Sequence, residues 1–366
     1  MDTATQLVFL AVVAGRFLLP LLIPRFPLPA ILACLVLDGI DQSIFQAFGY
    51  DPPGYQGYDK AMDVFYLCVA YLSMLRNWTS RSAFEVGRFL YFYRLVGVLL
   101  FELTQWRPLL LVFPNTFEYF FIAYEVARLR WDPRRRSPAF WIWTAALIWV
   151  VVKLPQEWWI HIAQLDFTDT VAEVPWFGPA VVLALLALAA VLWFAVRPRL
   201  PEADWPWRVP ADPLPAQMDQ AHERAAWVAS HYRVLSVPTF EKVVLVGLIS
   251  VIYALVLPGT DVDGARLFVG LTGFVLVNAA LALWAARAAR SVESLAGAFA
   301  ARVAVNIGLV VLADRLVGGG GDRLDAGAAV FFVVLLSLIT TLHDRFWPVH
   351  EVRAELAQDP RAPATP

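Results

Sequence analysis

The sequence predicts an all-α fold, a polytopic integral membrane helix bundle of about eleven transmembrane helices. Three observations carry that expectation. The chain is 59% hydrophobic and 16% charged over 366 residues, with a mean hydropathy of +0.60, outside the range of soluble globular domains. Apolar runs near the ~20 residues that a helix needs to cross the hydrocarbon recur along its whole length. The basic residues fall in alternate connections between those runs.

The expected spans are 5–24, 28–48, 58–76, 83–103, 107–128, 139–159, 176–196, 238–258, 265–286, 294–314 and 326–344. Arg25, Arg76 with Arg81, "RLRWDPRRR" at 128–136, Arg197 with Arg199 and Arg208, Arg287 with Arg290, and Arg345 with Arg353 mark one side. The other side reads "GYDPPGYQGYD", "QLDFTDTVAEVP", "PGTDVDG" and "GGGGDRLD". The positive-inside rule then puts the N-terminus outside and the C-terminus in the cytoplasm. The arginine- and alanine-rich usage suggests a bacterial inner membrane protein. No positive n-region or small-residue cleavage site marks a signal peptide.

Four regions are expected. Residues 1–196 form a seven-span front bundle rich in internal charge. Residues 197–237 form a cytoplasmic linker, first proline-rich, then an interfacial amphipathic helix with Met218, Ala221, Ala225, Val228 and Tyr232 on one stripe. Trp205, Trp207 and Trp227 would anchor it at the interface. Residues 238–347 form a four-span apolar back bundle, the expected surface for a homo-oligomer or partner membrane protein. Residues 348–366 read as a disordered cytoplasmic tail.

Charges inside spans are costly and mark function or helix pairing. Arg16 lies at about the depth of Asp38, because the first two spans form a hairpin around "IPRFP". Asp38 and Asp41 share a helix face at i, i+3, with Gly39 between them as a point where the helix could open. One arginine against two aspartates leaves a carboxylate to hold a proton, bind a cation or find Arg94. In the next hairpin, Arg94 with Glu118 and Arg88 with Glu125 have nearly equal residue-number sums, as antiparallel partners at matched depth do. Asn115, Glu118 and Glu125 share one face, so an ion-pair ladder is expected. Pro114 in "FPN" weakens that helix. Asp63 and Lys153 read as anchors near span ends, and Arg302 with Asn306 as interhelical packing polar groups.

Cys34 and Cys68 both lie inside spans, so no disulfide or thiolate site is expected. The five histidines form no ligand spacing, and no metal ligand set or cofactor motif is apparent. Glu157 and His161, with Asp166 and Asp169 following, read as a solvated outer loop. The near-neutral net charge of -2 gives no basis for nucleic-acid binding; membrane lipid is the expected environment. Three function classes follow: a proton- or cation-coupled transporter or conducting protein using Asp38, Asp41 and Arg16; a non-catalytic membrane subunit with structural ion pairs; and an enzyme acting on a lipid-linked substrate. Transport leads, because the front charges do not balance locally.

Overall fold

The computed structural model describes residues 3–50, 55–165, 170, 171, 173–256, 264–288, 294–317 and 326–358; side chains are described for these except 56, 264–266, 310–317, 326–329 and 358. Every regular element among them is helical. Helix α1 (Thr3–Leu18) tightens into a short 3-10 turn at Leu19–Leu22, where Pro20 removes a backbone donor. The chain reverses through Arg25 and Phe26, whose N–H groups both bond the Leu22 carbonyl, at 3.0 and 2.8 Å. Pro27 then opens α2 (Pro27–Ala47) at a position that needs no donor. Helix α2 runs unbroken through Gly39, so the opened turn expected there does not form. It ends at Gly49, whose φ of +68° suits a residue without a side chain.

Helix α3 (Tyr55–Asn77) is the centre of the molecule. Every residue from Val64 to Leu75 is buried, and the helix packs against α1, α2, α4 (Arg81–Thr104), α10 (Val237–Val256) and α13 (Ala326–Gln358). Among the described residues, eight helices are long and apolar enough to cross a membrane. α3 and α4 are not among them, although at 23 and 24 residues they are about 35 Å long. The reason is physical. A helix sheathed by other helices meets protein rather than lipid, so it can carry Asp63, Ser73 and Asn77 without facing hydrocarbon.

Ser80 caps α4, its hydroxyl accepting from the Ala83 N–H at 3.4 Å. The next span is broken into α5 (Pro108–Val112) and α6 (Thr116–Arg128) at Phe113–Asn115, where Pro114 cannot donate. Gly97 makes room for this break: a Cβ there would sit 2.1 Å from that of Phe113. Helix α7 (Pro138–Ile162) contains two π-helical stretches, Ile148–Lys153 and Trp158–Ile162, on either side of Pro155. Helix α8 (Phe177–Arg199) has no buried residue at all.

The proline-rich segment after α8 folds back over the arginine-bearing end of the bundle. The Asp132 N–H donates to the Asp204 carboxylate at 2.8 Å, and the Ala211 N–H to the Arg25 carbonyl at 2.8 Å. That Asp132 amide, with Arg135 beside it, holds the Asp204 carboxyl below its ordinary value. The tie is therefore complete above the unfolded carboxylate pKa of about 3.9 and is lost as pH falls through the folded value. Helix α9 (Ala221–His231) starts with a capping box of Gln220 and Glu223 and packs on α11 (Gly264–Arg287) and α13. Its expected tryptophan anchors divide: Trp207 is exposed, Trp227 stacks on His231, and Trp205 lies beneath the Arg134 guanidinium.

Helix α12 (Leu295–Val317) packs on α13. Helix α13 corrects the expected tail: it continues through Pro348 to Gln358, with Val349 and Val352 buried against Met218. Residues 359–366 and the "GGGGD" turn lie outside the described residues. The front and back regions share one core, which includes Phe65 and Tyr71 of α3, Ile252 of α10 and Leu336 of α13.

The two glycines lead to opposite expectations. Gly97→Ala forces Phe113 away and should cost roughly 1–3 kcal/mol, by the usual penalty for overpacking. Gly39→Ala meets nothing within 4 Å and should leave stability unchanged or raised. Thermal unfolding of the two variants in detergent, read by circular dichroism, checks both; equal midpoints would contradict the tight α4 contact.

A candidate cation or proton site around Arg16

Helices α1, α2 and α3 each bring charge to one place. Arg16 comes from α1, Asp38 and Asp41 from one face of α2, and Asp59 and Asp63 from the first turns of α3. Arg16 Nη1 lies 2.5 Å from Asp38 and 2.9 Å from Asp41, and Nη2 lies 3.3 Å from Asp59 and 3.4 Å from Asp63. The Tyr55 hydroxyl donates to the other oxygen of Asp41. The guanidinium also lies 5.9 Å from the Tyr58 ring centroid.

The cluster has a dry end and an open end. The side chains of Arg16 and Asp41 are 3% and 0% exposed, whereas those of Asp38, Asp63 and Asp59 are 25%, 30% and 34% exposed. Asp38, Asp59 and Asp63 each offer an oxygen, all within 4.8 Å of one another, a spacing at which three carboxylates can hold one cation. Four carboxylates against one guanidinium do not balance. Two full negative charges 4.8 Å apart repel by about 3.5 kcal/mol at an effective dielectric of ~20. Proton uptake or a bound cation relieves that repulsion.

Arg16 contacts both Asp38 and Asp41, the two aspartates that the sequence sets at its depth. Asp59, Asp63 and Tyr55 join them, unanticipated from the sequence. Asp63 reads as an interfacial anchor in the sequence, but it faces Arg16. The signal was present: Asp59 and Asp63 at i, i+4 repeat the one-face pattern of Asp38 and Asp41. Arg94 does not reach this cluster; it donates to the Phe113 carbonyl at 3.0 Å.

The expected ladder does not form. Arg88 pairs with Glu241 of α10 at 2.8 Å, and Glu125 pairs with Arg128 at 2.8 Å while accepting from Trp78 Nε1 at 3.0 Å. Glu118 accepts from the Tyr66 hydroxyl and from Asn115 Nδ2, the latter at 3.0 Å. The break at Pro114 and the rotation of each helix turn the side chains to other neighbours. The Asn115 N–H itself donates to Glu157 at 3.3 Å, and Glu157 also lies 3.1 Å from His161 and 3.6 Å from Lys153. Lys153 and Glu157 are thus buried, not solvated; Asp166 and Asp169 lie outside the described residues.

The back helices are more polar than the sequence suggested. Glu241 also accepts from the Tyr71 hydroxyl. Asp344 pairs with both Lys242 and Arg302, the latter at 2.6 Å. Asn306 bridges Asn278 and Ser337 at 2.9 and 2.8 Å, the packing role expected of it. Each carboxylate in these networks has a basic partner or accepts from neutral donors. Among the carboxylate clusters of the described residues, the one at Arg16 has a large excess of negative charge. The chain matches no protein-family model, no curated protein and no solved structure.

Removing Arg16 leaves four carboxylates without their cation, a loss expected to cost roughly 3–5 kcal/mol for a buried partner. Arg16→Gln should therefore unfold at a much lower temperature at pH 8. The deficit should shrink toward pH 5, as protons take the place of the guanidinium charge. Melting curves of wild type and variant across that range test this, and a pH-independent deficit would argue for lost packing alone.

Proposed function

We propose that this chain is a proton- or cation-coupled transporter or ion-conducting protein of a bacterial cell membrane. Its coupling ion binds and leaves at Asp38, Asp59 and Asp63, with Arg16 and Asp41 as the fixed floor of the site. In this reading eleven segments cross the bilayer, with the N-terminus outside and the C-terminus in the cytoplasm. The eight apolar helices, with α3 and α4 as long central elements, support a multi-pass arrangement.

The observation that carries the reading is the uncompensated charge at the open end of the cluster. A structural ion pair closes on itself, as Asp344 does with Lys242 and Arg302. Here three partly exposed carboxylates share one guanidinium that is already bonded to a fourth. Arg16 holds the aspartates together when no ion is present, and an arriving cation or proton lowers their mutual repulsion. The same guanidinium keeps the site from binding so tightly that release becomes slow, since it repels the ion that it admits.

Reconstitution into vesicles tests the proposal. Wild-type protein should dissipate an imposed proton, Na⁺ or K⁺ gradient faster than empty vesicles. Asp63→Asn and Asp38→Asn should each reduce that flux about tenfold or more, the effect of losing about 1.4 kcal/mol or more of ion binding. Glu241→Gln, in a closed network, should lower stability and leave flux per folded protein unchanged. Wild-type flux no faster than empty vesicles for all three ions would overturn the reading and favour a non-catalytic subunit held together by its ion pairs.

A further inference from the structure

At the opposite end of α1 from its first residue, a cavity of about 950 Å³ lies between α1, the end of α3, α12 and α13. Every side chain lining it is apolar except four, and those four are arginines: Arg25, Arg76, Arg224 and Arg345. No carboxylate lines it among the described residues. The apolar wall opens sideways, because Leu18, Leu21 and Val334 are exposed large side chains on the outside of the bundle. Its inner limit is aromatic: Phe17 lies 5.3 Å from Phe65 and 6.3 Å from Phe331 between ring centroids. Phe17 is the residue after Arg16, so this aromatic wall stands between the cavity and the aspartates.

Two of the arginines are positioned by neutral oxygens. Arg76 Nη1 donates to the Pro24 carbonyl at 2.9 Å and to Asn77 Oδ1 at 2.5 Å. Arg224 Nη1 donates to the Met218 and Asp219 carbonyls at 2.5 and 2.7 Å. Among the described residues no ion pair joins Arg25, Arg76 or Arg224 to a carboxylate. Each guanidinium has five donors in a planar fork, so Arg76 and Arg224 are held by one nitrogen and keep the rest of the fork for an anion. Guanidinium is also the side-chain group best matched to phosphate oxygens.

We propose that this cavity binds an anionic phospholipid of the surrounding bilayer, with its phosphate on the arginines and an acyl chain along the apolar wall. Charge complementarity selects the occupant: the guanidinium groups of Arg25, Arg76 and Arg224 repel one another until an anion joins them, and the sideways apolar opening admits an amphiphile from the lipid phase. Basic pockets between transmembrane helices hold anionic head groups by this logic. The inference does not depend on ion transport at Arg16, and the test below reads no flux.

The test is native mass spectrometry of the full-length protein, titrated with phosphatidylglycerol and with phosphatidylcholine of the same acyl chains. Wild type should bind phosphatidylglycerol about tenfold or more tightly, at about 1 kcal/mol per arginine engaged. The double variant Arg25→Gln with Arg224→Gln should lose that preference while keeping its weak phosphatidylcholine binding. Val334→Trp, which fills the groove and leaves the arginines in place, should weaken both lipids. Equal affinity of wild type for the two lipids would overturn the proposal, and that comparison needs no variant to fold. Stabilisation by inorganic phosphate alone, as large as that by phosphatidylglycerol, would also overturn it in favour of a free-phosphate site.

Discussion

A guanidinium with 3% of its surface exposed cannot sit among apolar helices without anions in contact, and the bond set of Arg16 meets that demand. It reaches Asp38 and Asp41 on α2 and Asp59 and Asp63 on α3. One side chain thus sets the relative rotation of three helices. Helix α3, fixed in this way near its start, becomes the axis on which α4, α10 and α13 pack. Polar groups farther along α3 follow the same rule. Tyr66 donates to Glu118, Tyr71 to Glu241, and Ser73 and Asn77 tie the hairpin backbone at Ile23 and Pro24.

The charges divide into closed and open sets, and the division has a physical meaning. Closed sets such as Glu241 with Arg88, and Asp344 with Lys242 and Arg302, leave no carboxylate without a basic partner and hold helices in register. They contribute specificity of packing more than net stability, because desolvation offsets much of the Coulomb gain. The open sets lie at opposite ends of α1. Excess carboxylate gathers near Arg16, and excess guanidinium gathers around the cavity at Arg25 and Arg76. Each favours a counter-ion of opposite sign, a cation or proton at one end and a phosphate at the other. The aromatic wall of Phe17, Phe65 and Phe331 separates them.

Much of the site was legible because depth is a local property. The hairpin at "IPRFP" put Arg16 level with Asp38, and the i, i+3 spacing put Asp41 beside it. Depth failed for the Arg88 and Arg94 ladder because it says nothing about rotation. Each residue turns a helix by about 100°, so a break such as Phe113–Asn115 reassigns every partner after it. Asp63 was misread for the related reason that an acid near a span end looks like an interfacial anchor until a buried arginine is found opposite. Glu241 and Asp344 were overlooked because their partners, Arg88 and Arg302, lie far away in the chain.

Composition, apolar run length and arginine placement are sums of single-residue transfer free energies, and the sequence by itself therefore determined that this is an α-helical membrane bundle. It also determined the hairpin around "IPRFP" and the weak point of a span at Pro114. Only the tertiary structure decided that α3 lies at the centre, that four aspartates rather than two share Arg16, and that four arginines distant in sequence line one apolar cavity. Pair energies depend on distances between residues far apart in the chain, and those distances exist only once the helices have packed.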